Sequence, residues 1–300
     1  MKVNKDTGGF LAPDTILRAS RQLLGGIDFA HQAGFVHGDI SPINVAFTCN
    51  QAFTDGDGLV ETLGGQPITA TYIGKELPRP PHLPQQIVRT ANWGMWYDIP
   101  AEHIRILDWG AAFPISDKIT SISQPLSLRS PETFFIGASD FRHDLWKAGS
   151  VIYALFYDSW PFFDDGFHPF NFYICTLVEK LGPLPSDWDA QWDKMITEDK
   201  ELKDEKNNSR EKLLIRDTFE PRRKTIIQQC EEMEMVYQKD EHTDYDYEGL
   251  KCLLQTMTGL LRCKPEERAS AQEALSLIDW VDHRAEMEET EADEADNLGE

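Results

Sequence analysis

The sequence predicts a mainly α, α+β fold in which short β-hairpin elements connect helices. Apolar residues recur at intervals of three and four over 13–35, which is typical of an amphipathic helix, and a second apolar helix is indicated from Asp144 through Phe156. Only short strand-like runs lie between them, at 45–47 and 103–107. At 300 residues, 41% of them apolar, the chain is long enough to bury a full core.

Composition narrows the classes of partner. The 51 acidic and 29 basic residues give a net charge of −22, so we expect no nucleic acid partner, because phosphates would be repelled. A basic peptide partner is compatible with this charge, although the same excess also serves solubility. No apolar run has the length of a membrane span and the N-terminus has no signal-peptide core, so no membrane partner is expected.

The cysteines indicate the compartment. Their number is odd and their spacing matches neither a CxxC motif nor a zinc site. We interpret them as reduced, buried thiols of a cytoplasmic or nuclear protein. The residues concerned are Cys49, Cys175, Cys230, Cys252 and Cys263.

The first helix is predicted over 13–35. Pro13 and Asp14 suit its first turn, and Gly34 is a stop signal. The stretch that follows, HGDISPIN from His37 to Asn44, therefore falls on a loop between this helix and the apolar run 45–47.

HGDISPIN is the stretch with the clearest chemistry. Asp39 can orient a hydroxyl nucleophile, and the amide oxygen of Asn44 can hold a metal ion. The alternative is a turn in which both side chains satisfy loop amides.

Residues 48–103 form a long connection rich in Gly and Pro, which we interpret as an insertion within one domain. Its proline-rich part, 77–84, is expected to be a stiff surface loop and not a polyproline ligand. The short strand 103–107 then leads into Asp108-Trp109-Gly110. Asp108 and Asn44 together offer two oxygen ligands of the kind that Mg²⁺ accepts. The alternative is a strand-end turn with the glycine at positive φ.

Further motifs follow in order. Ser130-Pro131-Glu132 comes next, then the helix that begins near Asp144, and finally Arg268 before a capping sequence. Helices are expected at about 168–181, 248–262 and 270–281, and a β-pair around 45–48 and 104–107.

This order of motifs resembles the C-terminal lobe of a eukaryotic protein kinase. HGDISPIN resembles the catalytic loop, DWG the metal-binding motif, and SPE the end of the activation segment. The resemblance implies that Asp39 is the base or hydroxyl-orienting carboxylate, that Asn44 and Asp108 are Mg²⁺ ligands, and that ATP is the cofactor.

The resemblance also implies a structural set around the loop. Glu132 and Arg268 would form a buried ion pair, and Asp144 would accept backbone hydrogen bonds from the catalytic loop. His37 is included as a structural residue of that loop.

A subgroup is indicated as well. Arg129 and the stretch 178–185, VEKLGPLP, resemble the CMGC group and, within it, the SR-protein kinase-like branch, whose substrates are Arg/Ser-rich proteins. The expected organisation is a lead-in of 1–12 and a lobe of 13–281 with insertions at about 48–103 and 187–247. An acidic tail, 282–300, is expected to be disordered.

The chain departs from the family pattern at several points. Only 36 residues precede His37, and no GxGxxG loop or V-A-I-K lysine occurs among them, so an N-lobe is expected to be absent. Ser41 stands where the loop lysine is expected, Pro125 where a threonine is expected, and Gly38 where an arginine is expected. This chain alone is therefore expected to transfer phosphate weakly or not at all. We expect it to need a separate N-lobe or a kinase partner.

Three functions are therefore considered. The first is part of a kinase that transfers the γ-phosphate of ATP to Ser or Thr of a protein substrate. The second is an inactive pseudokinase lobe that serves as a binding module. The third, a small-molecule phosphotransferase, is disfavoured by SPE, the helix near Asp144 and Arg268. The joint presence of Asp39, Asn44 and Asp108 favours the first. Without an N-lobe, the face that receives ATP should expose apolar surface.

Overall fold

A computed structural model provides the fold. It describes residues 11, 13–48, 103–120, 125, 128–157, 159–162, 170–198 and 247–280, with shorter stretches at 58, 60, 66, 68–71, 82, 84 and 86–88. The predicted tail 282–300, most of the predicted insertion 187–247 and most of the proline-rich stretch lie outside these residues.

The described residues are mostly helical, with small antiparallel sheets, as the mainly α or α+β class requires. The helices are α1 (Pro13–Gln32), α2 (Glu132–Phe135), α3 (Arg142–Tyr157), α4 (Phe170–Leu181), α5 (Asp189–Glu198), α6 (Tyr247–Leu260) and α7 (Ala271–Ser276). The strands are β1 (Phe35–Val36), β2 (Val45–Phe47), β3 (Thr69–Thr71), β4 (Gln86–Val88), β5 (Ile104–Ile106) and β6 (Phe113–Pro114).

The chain divides into two compact units. The larger contains residues 1, 11–47 and 103–300, and the smaller contains 2–10 and 48–102. In the smaller unit, β3 pairs antiparallel with β4, with Thr69 opposite Val88. The candidate site lies wholly in the larger unit.

Helix α1 buries its apolar face, including Ile16, Leu23 and Leu24, against α3, α6 and α7. The helix ends at Gln32, so the predicted end at 35 is wrong. Gly34 takes a left-handed φ of 89° and its N–H returns to the His31 carbonyl, which closes the last turn. Residues 35–36 form β1 instead, which pairs with β6.

The predicted β-pair on either side of the long connection is confirmed. Strands β2 and β5 run antiparallel, with Val45 opposite Ile106 and Phe47 opposite Ile104. This pairing carries the end of the HGDISPIN loop to the start of the DWG stretch.

Helix α3 is the centre of the core. Trp146 is fully buried and stacks on Phe162 at 5.0 Å between ring centroids. A Cβ on Gly149 would come within 2.9 Å of side chains at Leu260 and Leu261, so the glycine permits the close packing of α3 against the end of α6.

Helices α4 and α6 lie close to their predicted positions, but α7 is shorter than expected. It begins with the predicted capping box, in which Ser270 and Glu273 exchange backbone and side-chain hydrogen bonds. It ends at Ser276, not at 281. After that residue, the N–H groups of Leu277 and Ile278 donate to carbonyls three residues back, which is the tighter pattern common at helix ends.

Two further findings bear on the sequence-based expectations. Cys252 and Cys263 are free thiols, as expected, but half-buried and not buried. The other three cysteines lie outside the described positions or side chains. Within the part of the chain that the structure describes, no helix has the length and apolar character needed to cross a membrane.

Candidate active site

The HGDISPIN loop runs between β1 and β2 and ends in a short 3-10 helix, Pro42–Asn44. Gly38 has a φ of 78°, and a Cβ there would lie 2.5 Å from the Ala111 carbonyl oxygen. Both facts require glycine at this position, because an L side chain would be strained and would also clash.

Asp144 holds the start of this loop. Its side chain is fully buried in the first turn of α3, and its two oxygens accept hydrogen bonds from the backbone N–H of His37 at 2.7 Å and of Gly38 at 2.9 Å. The His31 ring nitrogen Nε2 lies 3.2 Å from the same carboxylate. The backbone contacts expected of Asp144 are therefore present, and they fix the direction in which the loop leaves β1.

His37 links the loop to the DWG stretch. Its Nδ1 accepts from the Asp39 N–H at 3.1 Å, so the proton lies on Nε2, which is 3.0 Å from the Leu107 carbonyl oxygen. The ring also meets Trp109 edge-on, with 4.6 Å between centroids. The imidazole thus bridges two segments that are 70 residues apart in the chain.

Asp39 and Asn44 are in direct contact. The Asn44 amide nitrogen donates to the Asp39 carboxylate oxygen Oδ2 at 2.9 Å and to the Asp39 backbone carbonyl at 2.8 Å. Asn44 is buried, whereas the Asp39 side chain is 34% exposed. The contact uses the amide nitrogen of Asn44, and part of the Asp39 carboxylate remains exposed to solvent.

Asp108 follows β5. The preceding residue, Leu107, donates its N–H to the Asn44 carbonyl at 2.7 Å, and this backbone hydrogen bond holds Asp108 next to the loop. Asp108 is the only non-glycine residue with positive φ in the described ranges, at 60°. The alternative turn with a glycine at positive φ is therefore wrong in detail, because Asp108 and not Gly110 takes that conformation. Such a conformation has a conformational cost and is common at functional sites.

Glu132 and Arg268 form the expected ion pair, and both are buried. All five N–H groups of the guanidinium have acceptors: two are the Glu132 oxygens and three are backbone carbonyls. Those carbonyls belong to Arg142, Arg262 and Cys263. The pair therefore joins α2, the start of α3 and the segment before α7.

A second buried polar contact lies next to this pair. The Ser130 hydroxyl is 2.7 Å from His143 Nδ1, and neither residue is exposed. Burial lowers the pKa of His143 well below its ordinary value, and the positive charges of Lys147 and Arg268 lower it further. His143 is consequently neutral at physiological pH.

Lys147 is the site residue that the sequence interpretation missed. Its Nζ donates to the Gly38 carbonyl at 2.8 Å and lies 3.6 Å from Asp39 Oδ1, with the side chain fully buried. Burial lowers the pKa of Lys147 to about 8, although Asp144 and Asp39 act in the opposite direction. The available signal was a lysine three residues after Asp144 in an otherwise apolar helix, which places both on one face.

An apolar cavity of about 690 Å³ lies beside the site, between α1, β1 and β5. Its lining includes Phe29, Phe35, Ile106 and Trp109, and the first two rings are 76% and 54% exposed. Exposed apolar surface of this kind marks interaction sites in soluble proteins.

The structure brings together the predicted site residues in two groups. The first group is a chain of hydrogen bonds from Asp144 to His37, from His37 to Asp39 and from Asp39 to Asn44, with Asp108 held nearby by the backbone bond of Leu107 to Asn44. The second group is the ion pair of Glu132 and Arg268. Within the described residues, no three His, Cys, Asp or Glu side chains gather into a metal-binding group.

Comparisons with known proteins add no family. No protein-family profile matches the chain, and no curated protein matches it.

Proposed function

We propose that this chain carries the C-terminal lobe of a Ser/Thr protein kinase, which in its complete form transfers the γ-phosphate of ATP to a hydroxyl of a protein substrate. The proposal rests on one observation: the Asp144 carboxylate accepts hydrogen bonds from two consecutive loop N–H groups, at 2.7 and 2.9 Å. Because these hydrogen bonds fix the loop, the Asp39 side chain lies partly exposed and in contact with Asn44. The segment that contains Asp108 is next to it.

In this proposal Asp39 orients the substrate hydroxyl. Its partly exposed carboxylate can accept a hydrogen bond from that hydroxyl, while Asn44 donates to Oδ2 and holds the group in place. Orienting the nucleophile in this way contributes to rate by positioning and does not require a strong base.

The residues present fit a Mg²⁺ ion with respect to donor chemistry. Asn44 offers its amide oxygen and Asp108 an exposed carboxylate, both hard oxygen ligands. Two protein ligands leave the remaining positions to phosphate oxygens and water, which is the usual arrangement for Mg²⁺ with a nucleotide. When bound with ATP, Mg²⁺ neutralises charge on the transferred group.

The proposed substrate is a basic, Arg/Ser-rich protein. The net charge of −22 supports this choice, because an acidic protein attracts a basic peptide over long distances. The resemblance of Arg129 and of the stretch 178–185 to the SR-protein kinase-like branch supports it independently.

A second candidate is a pseudokinase lobe that acts as a binding module. The observation in its favour is the apolar cavity of about 690 Å³, which exposes Phe29 and Phe35 beside the site. Ser41 also supports it, since the loop HGDISPIN contains no cation that could contact a transferred phosphate.

The two candidates differ in their response to nucleotide. The full chain, alone and with a kinase N-lobe supplied as a separate chain, is titrated with Mg²⁺–ATP by calorimetry, and phosphate transfer from γ-labelled ATP to an Arg/Ser repeat peptide is measured. The kinase proposal expects transfer that falls at least about a hundredfold in Asp39→Asn, and nucleotide binding that weakens in Asp108→Asn.

Asp187→Asn is the matched control, because that carboxylate is exposed and pairs with Lys264 away from the site. No transfer and no Mg²⁺-dependent nucleotide binding, with or without the added N-lobe, would overturn the kinase proposal and favour the binding module. In that case Phe29→Ser should lower the binding of a dye that reports exposed apolar surface.

A further inference from the structure

Lys147 and Asp144 lie one helical turn apart on the face of α3 that meets the HGDISPIN loop. Asp144 accepts from the N–H groups of His37 and Gly38, and Lys147 donates to the Gly38 carbonyl at 2.8 Å. Lys147 Nζ also lies 3.6 Å from Asp39 Oδ1. One helix face therefore holds three consecutive loop residues through an acidic and a basic side chain.

The two oxygens of the Asp39 carboxylate have different partners. Oδ1 is beside Lys147 and Oδ2 accepts from Asn44. Two partners on opposite oxygens define the plane of the carboxylate, so its orientation does not depend on a bound ligand. The Lys147 side chain is fully buried whereas that of Asp39 is 34% exposed, so a substrate that approaches from solvent meets the carboxylate and not the ammonium.

A buried lysine is unfavourable unless it is paired. The groups that face Lys147 are Asp39 from the loop, Asp144 from its own helix and the neutral His143. The loop itself contains no Lys or Arg. A cation in contact with Asp39 thus comes from α3 and not from the loop.

We propose that Lys147 is the positioning residue of Asp39, and that it supplies from the helix the positive charge that the loop lacks at Ser41. This inference rests on the proposed function for its catalytic consequence. Lys147 does not reach solvent, so it acts through Asp39 and does not contact substrate or nucleotide.

The first experiment does not depend on activity. Lysine side chains of the full chain are labelled with ¹³C, and the titration of Lys147 is followed by NMR, with its signal assigned by its loss in Lys147→Met. The wild-type midpoint is expected at about 8. Asp39→Asn should lower that midpoint by about one unit, because removal of a nearby carboxylate disfavours the ammonium.

Asp140→Asn is the control, since that carboxylate precedes the same helix but binds Arg142. An Asp39→Asn midpoint equal to that of wild type, or a shift matched by Asp140→Asn, would overturn the pairing. Lys147→Met is expected to fold, because neither carboxylate is left buried without a partner: Asp39 is 34% exposed, and Asp144 still accepts from the N–H groups of His37 and Gly38.

The second experiment addresses catalysis. Lys147→Met should lower kcat by about tenfold or more with an unchanged KM for ATP, because a misplaced carboxylate loses orientation and not nucleotide affinity. Ser41→Lys in the same variant should restore part of kcat, which a purely structural role would not produce.

An active chain whose kcat is unchanged in Lys147→Met would overturn the inference. If wild type and Asp39→Asn show the same absence of transfer even with the added N-lobe, the proposed function fails. The NMR titration then still decides whether Lys147 holds Asp39.

Discussion

Arg268→Met should be one of the most destabilising single substitutions in the chain. In the structure the guanidinium donates all five of its N–H groups, two to Glu132 and three to backbone carbonyls. Removing it leaves the Glu132 carboxylate buried without its cation and takes one donor from each of three carbonyls.

The expected magnitude follows from these contacts. Breaking a buried ion pair from one side costs about 3–5 kcal/mol. A globular domain has a total stability of about 5–15 kcal/mol, so Arg268→Met should lose a large fraction of it. A second substitution, Glu132→Gln, should recover part of the loss, and the double-mutant cycle should give a coupling of about 1–3 kcal/mol.

Urea unfolding followed by tryptophan fluorescence measures these free energies. Arg142→Met is the matched control, because that guanidinium is 35% exposed and pairs with Asp140 at 2.7 Å. A pair that solvent still reaches, as this one is, contributes about 0–1 kcal/mol. Equal losses in Arg268→Met and Arg142→Met would refute the reasoning.

Two further predictions concern the same region. Because burial lowers the native pKa of His143 well below 6.5, the unfolded chain binds the proton more tightly; stability should therefore fall as pH drops below about 6.5, and His143→Gln should flatten that slope in urea midpoints measured at pH 7.0 and about 5.5. A slope unchanged by the substitution would contradict this assignment. Gly38→Ala should cost more than Gly137→Ala in thermal unfolding: both have positive φ, at 78° and 75°, but only Gly38 has the Ala111 oxygen at 2.5 Å from its would-be Cβ. Equal losses would show that the close contact relaxes.

Local signals in the sequence predicted α1, α3, α4, α6, α7 and the main β-pair, because periodicity and capping act over a few residues, whereas α2 and α5 were not placed. The capping box at Ser270 and Glu273 is an example. Helix ends were less predictable: α1 was expected to reach 35, but Gly34 and the pairing of Phe35 with Pro114 end it earlier. A two-residue strand has no pattern of its own, so β1 can be recognised only from its partner.

The candidate site followed the same division. Asp39, Asn44 and Asp108 could be predicted as site residues because their types and order in the sequence are enough to suggest their chemistry. Lys147 was missed because its meaning depends on which loop the helix face meets, and that is a tertiary fact. Likewise, the contact between Ser130 and His143 joins residues whose separate sequence contexts give no indication of it.

The pairing of Phe47 with Ile104 has a consequence for how the chain can vary. Directly opposed residues in an antiparallel pair have Cα atoms about 5 Å apart, so the segment 48–103 leaves and rejoins the larger unit at almost the same point. The entropy of closing such a segment grows only with the logarithm of its length. Lengthening or shortening it therefore places little strain on β2 and β5. New sequence can be inserted at this position without disturbing Asp39 or Asp108.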